Sequence, residues 1–438
     1  MSTLPKSILQ FLQPFSSIFC TQKTFAKMIV LFSGFLLCSG GRTVCSCLKA
    51  LGMHGERAFS NYHHVLNRCN WSALQGAEQV LKLLLTLKSG MLVLVVDEHL
   101  ERRKGKNIKA KAIYRDAVAS SSSWLVKCLG IHWVVLSCLI SFPWSTRSFA
   151  LPFFCVPVLP EDHPLHQKRK YRTGIDLLCQ MLCVVRKWLP KESILIIGDG
   201  DYARVKLAST CTKLDMTLIT RLRSDARLHD FPGSKKGLGR RRKRGKRLSK
   251  EDMAAAVTKI NWYGGITKEV TSYVKKCIWY AGKPEVYIPV FAGWVQFRKN
   301  DEFILAAMGK DLNLTTKELV ELYVKRWNLE VTFRECRDYL GLETQRQWSD
   351  LAITRTTPLI FCAYSLVVII GHYLWKRKKV LPLKTAWYKK QKLTFSDLYK
   401  AVKMEVWKHR SDLGEKKESE KSLTEADALS EHLAAMGF

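Results

Sequence analysis

The sequence predicts an α/β fold with a helical N-terminal region and a basic, β-rich insertion. Three observations lead there. Two apolar runs, MLVLVVDEH and ESILIIGDGDYA, each close in acids, with strand-like runs and one helical run between them. Apolar residues recur at helical spacing from Lys23 to about Leu87 and again from Thr315. Between about Ile219 and Met308 the pattern is that of strands, broken by a cluster of cations.

The helical region comes first. KTFAKMIVLFSGFLL and RTVCSCLKAL, the latter ending at Gly52, are followed by a turn, GMHGER, and by FSNYHHVLNRC. Two readings stand side by side: a helix-turn-helix whose third helix offers Asn61, His63, His64, Asn67 and Arg68 to a major groove, or a helical bundle packed on the next domain. The N-terminus lacks the pattern of a signal peptide, with Gln10, Gln13, Pro5 and Pro14 among its apolar residues.

From Gly90 the strands begin. MLVLVVDEH is continuously apolar, as expected of a strand buried on both faces. WLVKCLGIHWVVLSCLISF and SFALPFFCVPVLP read as two more, the second bent or placed at an edge by its prolines. RTGIDLLCQMLCVVRKWL is helical and stops at Pro190, and ESILIIGDGDYA is a fourth strand. Asp97 and Asp199 therefore each stand just past an apolar strand, where open sheets bind ligands.

The insertion carries PGSKKGLGRRRKRGKRLSK. Residues 231–250 hold ten Lys or Arg and no acid. Such a run is a solvated loop, a localisation signal or a contact for a polyanion, and DNA backbone is the expected partner of Arg240, Arg241, Arg242, Lys243 and Arg244. Beyond it TSYVKKCIWYA, EVYIPVFAGWVQFRK and FILAAM build a small β subdomain.

The chain then turns helical from an N-cap at Thr315 to a stop at Gly341. Pro358 to Ile370 is an apolar run too short to span a membrane, and is expected as a buried core helix. A basic linker and a polar tail from about Ser411, with Glu415, Glu418, Glu420 and Glu425, complete the sequence. The expected divisions are 1–88, 89–215, 216–312, 313–376 and 377–438.

The 438 residues carry 71 Lys and Arg against 38 Asp and Glu, a formal charge of +33. Phosphates neutralised by Lys and Arg release condensed counterions, so nucleic acid is the expected partner. A membrane surface is not, because the excess charge is spread along the chain. Fourteen cysteines lie scattered without zinc-finger spacing, which implies free thiols in a reducing cytoplasm; Cys45 and Cys47, separated by one residue, are the alternative as a ligand pair.

The chemistry centres on Tyr323, Arg326, Glu330 and Arg337. At about 100° per residue these four share one narrow stripe of a helix, putting a carboxylate between two guanidinium groups and a phenol. An ion-pair ladder on a surface would look the same. Trp327, Val331 and Phe333 instead make the helix partly buried. Acids gathered at Asp97, Asp199 and Glu330 suit divalent metal, since two Mg²⁺ ions can activate the attacking oxygen and stabilise the leaving one in phosphodiester displacement.

LYVKRWNLEVTFRECRDYLGL resembles the Y-x2-R-x3-E-x6-K signature of insertion-sequence transposases of the DDE superfamily, with Arg337 where the signature has Lys. IIGDGDYA resembles the second motif, giving Asp199 with Tyr202 in register and Asp201 as a spare acid; LVLVVDEH resembles the first, giving Asp97, with Glu98 beside it. The resemblance runs from about residue 23 to 375. It implies a ribonuclease-H-like, mixed-sheet catalytic core with a β insertion.

The resemblance also implies that Asp97, Asp199 and Glu330 hold Mg²⁺, with Mn²⁺ as a substitute. Arg326 and Arg337 would contact phosphate, Tyr323 would position the helix or a DNA strand, and Trp262 would stack on an extruded base, with Trp279 and Trp294 as competitors. The implied activity is cleavage of element ends and their joining to target DNA, by a dimer or larger assembly, in the cytoplasm and at the nucleoid. The alternatives are a non-catalytic DNA-binding derivative and a metal-dependent nuclease without strand transfer.

Overall fold

The computed structural model describes residues 3–418 apart from 117–118, 122, 164–165, 167–169, 235–239, 263–264, 282–285, 299–300, 310–311 and 383–384. Lys235, Lys236, Glu420 and Glu425 of the sequence reading lie outside the described residues.

Five helices open the chain: α1 (Lys6–Leu12), α2 (Gln22–Leu37), α3 (Val44–Ala50), α4 (Ser60–Asn67) and α5 (Ala73–Leu85). Thr21, Thr43 and Ser72 cap α2, α3 and α5 by accepting backbone N–H bonds. Leu4, Ile8, Ile29, Leu36, Val80, Leu81 and Leu84 belong to the same continuous core as the central sheet.

β1 (Leu92–Arg102) is followed by β2 (Ala112–Arg115), β3 (Lys127–Ser141) and β4 (Ser148–Val158). β3 pairs antiparallel with β1 on one side, and on the other with β2 and β4 in succession. Among the described residues β4 pairs only with β3. An edge place suits Pro152 and Pro157, which have no N–H to give a ladder. After α6 (Gly174–Trp188), β5 (Ile194–Ile197) lies parallel to β1; after α7 (Val205–Lys213), β6 (Met216–Leu222) lies parallel to β5. The order β4-β3-β1-β5-β6, three antiparallel strands and two parallel ones reached by crossover helices, is a ribonuclease-H-like topology.

The insertion supplies β7 (Arg227–His229), β8 (Ala256–Asn261), β9 (Thr267–Tyr280), β10 (Tyr287–Arg298) and β11 (Asp301–Met308). Because β11 pairs antiparallel with β6, the insertion continues the central sheet to eleven strands among the described residues.

The returning helix is two helices, α8 (Thr316–Val324) and α9 (Trp327–Leu340). Thr315 and Glu318 close a capping box at the start, and Gly341, left-handed at φ 67°, ends α9 as expected. The break at Lys325 and Arg326 changes the single stripe drawn from an unbroken helix.

α10 (Asp350–Lys376) is twice the expected length and runs through Pro358. By length and composition alone it could cross a membrane, but it is mostly buried and packs on β4, α5, α9 and α11. Arg355, itself buried, donates to the carbonyls of Val65, Leu66 and Trp71, two of them in the last turn of α4 and its exit. α4 thus packs as a bundle member, burying Tyr62, Val65 and Leu66, while Asn61, His63, His64 and Asn67 are half-buried and Arg68 is exposed.

Within the stretch expected as linker and tail, α11 (Phe395–Glu418) buries Phe395, Leu398, Tyr399, Val402 and Val406 against α10 and α2, and residues 419–438 of the tail lie outside the described residues. Thr394 and Asp397 cap its start, with Thr394 N–H and Oγ1 both donating to Asp397 at 2.7 and 2.8 Å. All fourteen cysteines are free thiols; Cys45 Sγ lies 3.8 Å from His63 Nε2.

Candidate active site

Strand register brings the first two acids together. Val95 on β1 is level with Ile197 on the parallel strand β5, so Asp97 and Asp199 are each two residues further on. Asp199 stands just past the end of β5, as expected, but Asp97 does not end its strand: β1 runs on to Arg102 because β3 keeps pairing with it, Asp97 opposite Val135. Asp199 then caps a short turn over Gly200–Tyr202, accepting from the Asp201 N–H at 2.9 Å. Gly198 permits this turn because a Cβ there would meet the Tyr202 ring at 2.8 Å. Tyr202 is buried, and its hydroxyl has no hydrogen-bond partner among the described residues. Asp201 is exposed.

Arg326, at the break between α8 and α9, links the third acid to the first. It lies 3.1 Å from Asp97 and 3.0 Å from Glu330, using its two terminal nitrogens. Burial is the largest influence on Asp97, which is pushed up to about 7; Asp199 and Glu330 add to the rise and Arg326 opposes it. Asp199 is raised mainly by burial. Glu98, on the opposite face of β1, is raised to about 7 by burial and then by Asp199 and Asp201, and lies 3.2 Å from His132.

These acids offer hard oxygen donors in a desolvated place, the kind of set a divalent ion prefers. Among the described residues no three His, Cys, Asp or Glu side chains already converge on one ion-sized point. Arg326 stands between Asp97 and Glu330.

Tyr323, on α8, packs on Phe303 of β11, with ring centroids 5.8 Å apart. It shares a cavity of about 370 Å³ with Trp262, Phe297, Asp301, Arg326 and Trp327. Trp262 meets Phe297 edge-on at 4.7 Å, and Lys268 Nζ lies 4.1 Å from its ring centre. Trp279 is buried and Trp294 half-buried, whereas Trp327, which the sequence pattern places on the buried side of its helix, is 51% exposed.

Arg337 does not join Arg326. Its guanidinium lies 3.6 Å from Glu343, which also pairs with Arg102 at 3.2 Å. In the basic loop Arg240, Arg241, Arg242 and Lys243 are exposed. Arg244 and Arg227 lie over Tyr280 at 3.9 and 4.6 Å, and Lys243 is 5.4 Å from the Tyr287 ring.

A family model described as DDE superfamily endonuclease matches residues 12–283. The chain belongs to this family. The match takes in Asp97 and Asp199 and ends before Glu330. Among solved structures, this DDE endonuclease-family chain is similar to a piggyBac transposase in a synaptic complex with hairpin DNA, at a TM-score of 0.40 and 11% identity, covering 98% of this chain and 81% of that one. No curated protein matches it.

Proposed function

We propose that this DDE endonuclease is a DNA transposase whose catalytic acids are Asp97, Asp199 and Glu330. The observation that carries the reading is that Asp97 within β1 and Asp199 just past β5 are matched in register, and that Arg326 joins Asp97 to Glu330 on α9. Mg²⁺, or Mn²⁺ in its place, would be held by these three carboxylates and would activate the attacking oxygen and stabilise the leaving one.

The chain's own groups do the rest. Asp199, half-buried and matched in register with Asp97, is the better second acid than the exposed Asp201. Arg326 neutralises the crowded acids and is the group suited to the scissile phosphate. Tyr323 fixes the α8–α9 junction on β11. Arg337, engaged by Glu343, braces α9. The cavity between Trp262 and Trp327 suits an unstacked base, since aromatic faces hold extruded nucleotides. Arg240, Arg241, Arg242, Lys243 and Arg244 meet DNA backbone. The active complex is a dimer or larger, cutting both element ends together.

Precut end duplex incubated with target plasmid and Mg²⁺ tests the joining step. Strand-transfer products are expected. Nicking of the same DNA without joined products would move the reading to an endonuclease that does not transpose.

A further inference from the structure

The segment between β1 and β3 takes no part in the site just described, yet its composition is skewed: residues 103–127 hold seven Lys or Arg and one acid. Asp116, that acid, is buried and committed to Arg102, whose Nε and Nη2 donate to it at 2.9 and 3.1 Å. Arg103 is likewise committed, 2.6 Å from buried Glu101. Lys104, Lys106, Lys109, Arg115 and Lys127 are exposed, and none forms an ion pair among the described residues.

A charge run is usually a solvated loop, but this one is fastened down. Ile108 and Ala110 are buried, Lys111 donates to the Gly105 carbonyl at 2.7 Å, and β2 pairs with the start of β3. At the tip Trp124 is 72% exposed beside Leu125 at 56%. Two bonds to Ser121 fix the backbone of Trp124: its N–H donates to Ser121 Oγ at 3.0 Å and its carbonyl accepts from Ser121 N–H at 2.9 Å. Apolar side chains held in water next to uncompensated cations suit a partner that is polyanionic and has flat apolar faces.

The direction of β1 says where that partner lies. β1 continues five residues past Asp97 to Arg102, about 17 Å in extended chain, which is roughly the rise of five base pairs. We propose that this arm is a second duplex-DNA contact, with Lys104, Lys106, Lys109 and Arg115 on the phosphates from about five base pairs beyond the cleavage position, and Trp124, at the far tip, against the bases beyond them. The proposal rests on the transposase reading above.

The test is fluorescence anisotropy with a labelled end duplex over a salt series, using the full chain. Lys106→Ala/Lys109→Ala/Arg115→Ala is expected to lower the slope of log affinity against log salt by about 2 to 3, since each lost phosphate contact removes about 0.9. The matching variant with Lys106 and Lys109 changed to Arg keeps the wild-type slope. Trp124→Ala is expected to weaken binding roughly five- to a hundredfold, the range for one lost base contact, with Trp124→Phe recovering most of it. An unchanged slope in the triple variant, with wild type binding normally, overturns the arm proposal alone. Failure of wild type to bind duplex overturns the transposase reading and the arm proposal together.

Discussion

Arg326 lies 3.1 Å from Asp97 and ties the middle of β1 to the start of α9, 229 residues further along the chain. The same guanidinium holds Glu330 at 3.0 Å. One cation therefore sets the spacing of two acids that would otherwise repel. Arg326→Gln removes the positive charge that opposes Asp97's rise, so metal-free Asp97 should titrate above its wild-type value of about 7. The acid limb of the cleavage profile should move to higher pH in this variant, and an unmoved limb would separate Arg326 from the acid's charge state.

The crowded acids should weaken the metal-free fold as pH rises. Asp97 and Glu98 both titrate near 7 when folded, above their ordinary values of 3.8 and 4.5. Between those limits the folded chain binds more protons than the unfolded one, so stability falls as pH climbs toward 7 and is flat above it. Asp97→Asn should accordingly raise the melting temperature at pH 8 without metal. In wild type, Mg²⁺ should raise it instead, and Asp97→Asn should blunt that response. Scanning calorimetry at two pH values with and without Mg²⁺ reads both effects.

Glu343 has a left-handed backbone at φ 75°, costly for a residue with a Cβ, and it receives Arg102 and Arg337. Glu343→Ala keeps the strain and loses both pairs, and should lower stability by about 1 to 3 kcal/mol after allowance for the partial exposure of both arginines. Glu343→Gly should be milder because glycine accepts this conformation. Urea unfolding checks the order. Arg337→Ala should follow Glu343→Ala in stability while leaving the salt slope of DNA binding unchanged; a slope reduced by about 1 would make Arg337 a phosphate contact.

How much of this was legible in the sequence depended on how local the cause was. The apolar runs before Asp97 and Asp199 announced buried strands, and the Arg326–Glu330 spacing announced a helical pair. The partnership of Arg326 with Asp97 was not legible, because it is made across the fold. Nor was the extension of the central sheet by β11 on β6, a pairing that no single segment encodes. α11 was hidden differently: Phe395, Leu398, Val402 and Val406 have helical spacing, and Thr394 with Asp397 makes a cap, but the many lysines around them read as a linker. The α8–α9 break left no signal, since Lys325 and Arg326 are both good helix formers.

Trp262 and Trp327 face the same cavity beside Arg326. If that cavity takes an unstacked base, Trp262→Ala should reduce end cleavage about tenfold or more while end binding changes little, and an abasic site at the extruded position should restore cleavage. Gel-resolved cleavage of intact and abasic ends, beside anisotropy on both, distinguishes this from a general loss of the insertion's fold.

Cleavage of element-end duplex in Mg²⁺ by wild type, Asp97→Asn, Asp199→Asn and Glu330→Gln tests the central claim most directly, with Asp201→Asn as the control. Wild type and Asp201→Asn should cut, and each of the other three should lose at least about a hundredfold in rate with end binding retained. Equal cutting by wild type and Glu330→Gln, or binding without cleavage by every protein including wild type, would contradict it.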